Sequence, residues 1–162
     1  MSVLLGALLL VPLAAGIALI VVRPLRFVVP VGLTVAAATV GLAVAAALRR
    51  PQARLPLFDD IDAGFAVDDL SAVMVVLVAL ALLAVLAFAS GDPALGSGRF
   101  VGLVLVFAAA MLATVTATTL PPLLAAWEVM GAASWALIAH HTGDPAAARG
   151  ARTAFLTTRA AD

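Results

Sequence analysis

The chain contains a single glutamate, Glu128, and it lies within an apolar run rather than in a loop. A carboxylate near the middle of a membrane-spanning helix costs about 2.5 to 3.5 kcal/mol on insertion scales, and such groups usually mark a path for ions or protons. Gly131 and Ser134 follow in the same run, and small residues of this kind let a neighbouring helix approach closely. The sequence therefore predicts a proton or cation site at Glu128. The alternative is a structural role, either as a protonated Glu hydrogen-bonded to a neighbouring helix or as a Glu at the membrane interface.

Four further side chains are weaker candidates for proton transfer. Thr114 and Thr118 are spaced i, i+4, which would place two hydroxyls on one face of a helix. The alternative for these threonines is that each hydroxyl bonds to a carbonyl of its own helix. His140 and His141 follow at the end of the run that holds Glu128, near the expected membrane interface. An imidazole in that position either relays protons or is solvated.

Two opposite charges stand three residues apart in the last apolar segment, Arg159 and Asp162. At the depth expected for this segment neither charge is stable alone, so we expect a mutual ion pair. Such a pair is either structural or part of a chain of charges.

The composition excludes several classes of function. Hydrophobic residues make up 65% of the 162 residues and charged residues 11%, and the mean hydropathy is +1.21. Soluble domains are about half apolar and a quarter charged, so these values indicate a membrane protein surrounded by lipid. The formal net charge of zero leaves no basic surface for nucleic acid, and the absence of Cys excludes disulfides and thiolate metal sites. The sequence has no nucleotide-binding loop, flavin site or metal cluster, so any cofactor is expected in partner chains.

Apolar runs of about 20 residues match the thickness of a bilayer, and they recur along the chain. Full spans are expected at about 2–22, 27–48, 70–90, 100–119 and 123–141. A sixth helix is expected to begin after Pro145 and to be still running at Asp162. The prediction is an all-α integral membrane protein, a polytopic bundle of five full transmembrane helices plus a truncated sixth, in a chain that is a piece of a longer protein.

The polar stretch between the second and third spans divides the chain. The predicted division is 1–48 for helices 1 and 2, 49–69 for an extramembrane segment, and 70–162 for helices 3 to 5 and the start of helix 6. Short stretches of apolar or alternating apolar and polar residues around 55–58 and 64–67 predict a small β-hairpin within the extramembrane segment. Asp69 stands directly before the third span and is expected to cap it.

Arginines predict the orientation, because cytoplasmic loops carry an excess of them. Five arginines fall on one side of the predicted bundle, and three fall on the other side together with five acids. The first group is Arg23, Arg26, Arg99, Arg149 and Arg152, and the second is Arg49, Arg50 and Arg54. This bias places the N-terminus and the extramembrane segment outside, in a multi-pass protein of the cell inner (plasma) membrane.

Three stretches together carry a resemblance to a known family. Residues 127–131 read Trp-Glu-Val-Met-Gly, 134–138 read Ser-Trp-Ala-Leu-Ile, and 154–162 read Ala-Phe-Leu-Thr-Thr-Arg-Ala-Ala-Asp. With Asp-Leu-Ser at 69–71 and Gly-Arg-Phe at 98–100, this pattern resembles the antiporter-like subunits of respiratory complex I. Within that group it is most similar to subunit L, the mitochondrial subunit-5 type.

The resemblance implies a role for each charged residue of the last two helices. It places the family's helix-five Glu on Glu128, as the partner of a Lys that lies beyond the sixth helix, and the family's helix-six Arg and Asp on Arg159 and Asp162. The family ends this motif in Arg-x-Gly-Asp, and Ala161 here replaces the Gly. By this resemblance the chain contributes half of a proton channel.

The resemblance also implies partners. The chain would join other membrane-arm subunits of complex I within the lipid bilayer, and NADH, FMN, iron–sulfur clusters and quinone would be bound by partner subunits rather than by this chain. Two alternatives are left open: related families suggest a component of a Mrp-type monovalent cation/proton antiporter, and the truncated sixth helix suggests a non-catalytic remnant of such a subunit.

Overall fold

The computed structural model describes residues 2–22, 27–58, 61–92, 97–140 and 145–161. Within these ranges the chain forms six helices and one hairpin. The elements are α1 Val3–Val21, α2 Val28–Arg49, β1 Gln52–Phe58, β2 Ile61–Ala66, α3 Asp69–Ala89, α4 Gly98–Thr116, α5 Leu120–Ile138 and α6 Pro145–Ala161.

Four of the helices, α1 to α4, are long and apolar enough to cross a membrane. Helix α5 is as long as α1 and α4, with 19 residues, but it is not one of these four; it contains two prolines, two tryptophans and Glu128. The structure is therefore that of a predominantly helical, multi-pass membrane protein, whereas the predicted count of five full spans is not confirmed.

The boundary between α4 and α5 differs from the predicted one. Helix α4 ends at Thr116, three residues before the predicted end, and α5 already begins at Leu120. Pro121 and Pro122 fall between the two predicted spans, but in the structure they lie in the first turn of α5, where a missing backbone N–H is tolerated. The linker between the two helices is thus Ala117–Thr119, and α5 both begins and ends about three residues earlier than predicted.

Helices α1 and α4 approach each other backbone to backbone. A Cβ atom added to Gly16 would lie 2.7 Å from the carbonyl oxygen of Gly102, and one added to Gly102 would lie 2.6 Å from that of Gly16. Gly98, four residues before Gly102, lies equally close to the carbonyl of Leu19. This is the Gly-x-x-x-Gly spacing by which membrane helices pack without side chains between them. The glycines therefore set the α1–α4 distance.

The four-helix core contains two clusters of buried apolar side chains, one towards each end of the bundle. The cluster near the hairpin includes Leu5, Leu8 and Leu112, and the other includes Leu19 and Leu105. The outer surface is apolar as well, as expected for helices that face lipid. Interior packing, rather than polarity, therefore distinguishes the inside of this bundle from its outside.

The predicted hairpin is present, with longer strands than the sequence indicated. Strands β1 and β2 pair antiparallel, with Gln52 opposite Ala66. Strand β2 also meets the α4–α5 linker: Phe65 forms an isolated antiparallel bridge with Ala117, and the N–H of Thr118 donates to the carbonyl of Gly64 at 2.9 Å. The hairpin is thus attached to the start of α5.

The cap of α3 is one residue earlier than predicted. Asp68, not Asp69, is the N-cap: its carboxylate accepts from the N–H of Ser71 at 2.7 Å, and the Ser71 hydroxyl accepts from the N–H of Asp68 at 2.7 Å. Asp69 instead pairs with Arg50, at 2.7 Å between Oδ1 and Nη1. The prediction of Asp69 was wrong because both acids precede the apolar run and only Asp68 has the Asp-x-x-Ser spacing of a reciprocal cap.

This cap predicts a pH dependence for the start of α3. The hydrogen bonds from Ser71 hold the pKa of Asp68 below its ordinary value of 3.8. Because the folded pKa is lowered, the stabilisation is fully present above the ordinary value and is lost as the pH falls through the folded value. We expect exchange of the Ser71 amide proton, corrected for its intrinsic pH dependence, to be constant above about pH 5 and to accelerate below it. In Asp68→Ala the corrected exchange should be faster and independent of pH, and an acid acceleration that persists there would contradict this assignment.

Candidate functional site

Glu128 lies on the wall of a cavity of about 440 Å³ that is bounded by α4, α5 and α6. Its side chain is half-buried. The cavity is lined by Phe107, Met111, Trp127, Glu128, Met130, Gly131, Ala132, Ser134, Phe155 and Thr158. Most of these side chains are apolar, and the space is sufficient for several water molecules at about 30 Å³ each. A carboxyl group in such a place can bind and release a proton or attract a cation.

Glu128 lies near the middle of helix α5. The residue is eight positions after Leu120, which corresponds to about 12 Å along the helix axis at 1.5 Å per residue. Only Pro122, Ala126 and Ala133 of α5 are buried, so the helix is held to the bundle along a narrow strip. A Cβ atom added to Gly131, one turn after Glu128, would meet no atom within 4 Å. The cavity therefore opens beside the carboxylate.

The two threonines expected to share a helical face do not do so. The Thr114 hydroxyl donates to the carbonyl of Ala110 in its own helix at 2.9 Å. Thr118 lies in the linker beyond the end of α4, so the two threonines do not belong to one helix. Among the described residues, neither threonine lines the Glu128 cavity. The prediction of a shared face was wrong because the helix ends at Thr116.

His140 lies beyond the end of α5, twelve residues from Glu128 and so about 18 Å away along the helix direction. Its Nε2 lies 3.4 Å from the hydroxyl of Ser97, the N-cap of α4, and its ring meets that of Phe100 edge-on at 5.3 Å between centroids. The structure thus places His140 at the bundle end and separates it from the cavity. His141 lies outside the described residues, so a relay through the two histidines stays a prediction.

The predicted pair in the last helix is described only in part. Arg159 belongs to α6 and directly follows Thr158, a residue of the cavity lining. Asp162 lies outside the described residues. The ion pair between them therefore stays a prediction.

Sequence analysis missed the contribution of α4 and α6 to the cavity. Phe107 and Met111 of α4 are spaced i, i+4, and Phe155 and Thr158 of α6 are spaced i, i+3, so each pair shares a helical face. Trp135 also joins α5 to α6, with its ring 6.0 Å from that of Phe155. The spacing was visible in the sequence, but nothing in it indicated that these faces meet at Glu128. Within the described residues, no three His, Asp or Glu side chains come together as a metal site.

The fold and the site define a class: a multi-pass helical membrane protein with one carboxylate in a cavity between three helices. A comparison with known proteins finds several that are similar in sequence to this chain. NAD(P)H-quinone oxidoreductase subunit 5 of the Mesostigma viride chloroplast is 34% identical over 104 residues, which are 63% of this chain and 16% of that protein. NAD(P)H-quinone oxidoreductase chain 5 of Synechocystis sp. is 34% identical over 106 residues, 63% of this chain and 15% of that protein.

A third relative carries a different name. F420H2 dehydrogenase subunit L of Methanosarcina mazei is 35% identical over 100 residues, 59% of this chain and 15% of that protein. No family model matches the chain. The resemblance inferred from the stretches between residues 69 and 162 is confirmed by relatives of the subunit-5 and subunit-L type, and the chain spans about 15% of their length.

Proposed function

We propose that this chain is part of a proton-translocating, antiporter-like membrane-arm subunit of an NADH:quinone oxidoreductase. The observation that carries the proposal is the position of Glu128, the single Glu of the chain, beside a cavity between three helices. The named relatives, which are subunits of quinone oxidoreductases and of an F420H2 dehydrogenase, support the same assignment. In this proposal α5 is a fifth span, and Glu128 lies near the middle of the membrane.

Glu128 would act by changing its charge. In one state its carboxylate stabilises a protonated amine, the Lys that the family resemblance places beyond α6. In the other state a proton on Glu128 removes that stabilisation and the amine releases its own proton. Water in the Glu128 cavity would supply the proton, and Ser134 and Thr158 offer hydroxyls along its wall. The chain would thus form half of a channel, with Arg159 and Asp162 as the adjoining charges.

The redox chemistry would belong to other subunits. The relatives are named for two different electron donors, which supports a donor site outside the shared region. NADH, FMN, iron–sulfur clusters and quinone would therefore be held by partner chains, and this chain would respond to them through shifts along the membrane arm. The membrane would be the cell inner (plasma) membrane, with the N-terminus and the hairpin outside.

The test compares the driving forces for proton movement. Inverted vesicles are prepared from cells that carry the chromosomal gene and from cells that lack it, and acidification of the vesicle interior is followed with a fluorescent amine. We expect acidification that depends on NADH and quinone and that falls when the gene is absent. Proton movement that depends on the gene but is driven by an imposed Na⁺ or K⁺ gradient, with no effect of NADH, would instead indicate a cation/proton antiporter. If the gene has no effect in either assay, the result would support the alternative that the chain is a non-catalytic remnant.

A further inference from the structure

The side chain of Thr119 joins the hairpin to the N-terminus of α5. Its hydroxyl donates to the carbonyl of Asp62 at 2.8 Å and accepts from the N–H of Gly64 at 2.9 Å. We call these two hydrogen bonds the hairpin brace. Both partners lie on β2, two residues apart, so a single side chain holds the strand at two points.

The start of α5 explains why this hydroxyl is available to the hairpin. Thr119 is the N-cap of α5, and an N-cap hydroxyl ordinarily accepts from the N–H of the second or third residue of the helix. Those residues are Pro121 and Pro122, which have no N–H. Thr119 accordingly makes no cap bond within its own helix, and its hydroxyl bonds to β2 instead.

The same prolines leave the first turn of α5 weakly held by the helix itself. The first backbone bond, from the N–H of Leu123 to the carbonyl of Thr119, is long at 3.4 Å. The contact with β2 is close: a Cβ atom added to Gly64 would overlap the Thr118 hydroxyl and lie 3.1 Å from Cγ2 of Thr119. The position of the α5 N-terminus is therefore set by the hairpin as well as by α4.

We propose that Thr119 is a positioning residue for Glu128, through which the hairpin sets the depth and rotation of α5. A helix transmits a displacement of its end along its axis, and Glu128 lies only about 12 Å from Thr119's end of α5. Only three residues of α5 are buried, so a small shift of the helix would expose little buried surface. This inference rests on the proposed function of Glu128 only for its effect on pumping, because the effect on the position of Glu128 is measurable separately.

The test uses a chemical probe of Glu128 in membranes that contain the full chain. A hydrophobic carbodiimide labels protonated carboxyl groups, and mass spectrometry assigns the label to the single Glu. The variant is Thr119→Val, which keeps the shape and removes the brace. Losing a neutral hydrogen bond changes an equilibrium about two- to tenfold, so we expect labelling of Glu128 to become about two- to tenfold faster, with a displaced pH profile.

Two controls separate positioning from general damage. Thr119→Ser retains the hydroxyl and should label like the unaltered protein. Thr34→Val removes a hydroxyl that bonds only within its own helix, at 2.9 Å to Val31, and should also leave the labelling unchanged.

A disulfide tests whether the brace acts by holding the hairpin to the linker. The chain has no native Cys, and an antiparallel bridge brings the Cα atoms of Phe65 and Ala117 to about 4.5 to 5.5 Å, within the range of disulfides. In Thr119→Val combined with Phe65→Cys and Ala117→Cys, oxidation should restore the labelling rate and pH profile, and reduction should remove the effect.

Unchanged labelling in Thr119→Val, or no restoration on oxidation, would overturn the inference. Proton pumping is measured on the same membranes. If labelling follows the expected pattern while Glu128→Gln pumps normally, the positioning role holds and the proposed function fails. If Glu128→Gln stops pumping while Thr119→Val labels normally, the proposed function holds and the positioning role fails.

Discussion

Glu128→Gln is expected to slow proton transfer through this chain on the order of 100-fold while leaving the assembly intact. The amide has nearly the shape of the carboxyl group, but it cannot bind and release a proton, and positioned acid–base groups typically accelerate such transfers at least to that extent. Assembly should be unaffected because Glu128 is half-buried beside a cavity rather than packed in the core. The measurement is proton release per NADH oxidised in inverted vesicles, with a native gel to follow assembly.

Two further variants show whether the cavity matters as well as the charge. Glu128→Asp keeps a carboxyl group and should retain part of the pumping. Gly131→Leu should fold, because a Cβ at Gly131 meets no atom within 4 Å, but its side chain would occupy the space beside Glu128 and lower pumping. Full pumping in Glu128→Gln would refute the proton site, whereas full pumping in Gly131→Leu alone would refute only access through this cavity.

Gly102→Leu is expected to prevent stable assembly of the bundle. A Cβ at this position would lie 2.6 Å from the carbonyl oxygen of Gly16 and 2.7 Å from Cγ1 of Ile20, so α1 and α4 would have to separate. Overpacking in well-packed interiors costs about 1 to 3 kcal/mol and occasionally more. Here the obstacle is partly backbone, which cannot move as a side chain does. We expect at least the upper end of that range, seen as loss of the protein from membranes and as a lowered midpoint of thermal unfolding in detergent.

The chain contains its own matched control for this substitution. Gly41 is also within a membrane helix, and a Cβ there would meet no atom within 4 Å. Gly41→Leu should therefore accumulate and unfold like the unaltered protein. Equal stability of Gly102→Leu and Gly41→Leu would show that the α1–α4 contact is not set by glycine.

Much of the architecture could be predicted from the sequence. Apolar length predicted the membrane helices, because a bilayer admits only segments that satisfy their own backbone hydrogen bonds. The hairpin was predicted from short alternating or apolar stretches within the polar segment between two spans. The start of α5 was misjudged because Pro121 and Pro122 are compatible both with a turn and with the first turn of a helix.

For the candidate site too, some features were predicted from the sequence and others were not. Glu128 was identified from residue type alone, since a lone carboxylate in an apolar run is costly wherever the helix packs. Thr114 and Thr118 do not share a helical face, because an i, i+4 spacing brings two residues to one face only within a helix and α4 ends at Thr116. His140 was correctly placed at the end of the span, but its contact with Ser97 joins residues 43 positions apart, which spacing does not reveal.

By itself, the sequence determined that this is a helical membrane protein with one exceptional carboxylate, because both properties follow from the cost of burying polar groups in lipid. Only the tertiary structure decided which helices surround that carboxylate and that the hairpin is fastened to the start of α5. The physical reason is that nearly every face of α1 to α5 is apolar. A lipid-facing surface and a helix-facing surface therefore look alike in sequence, and close packing at a few glycines and hydroxyls distinguishes them.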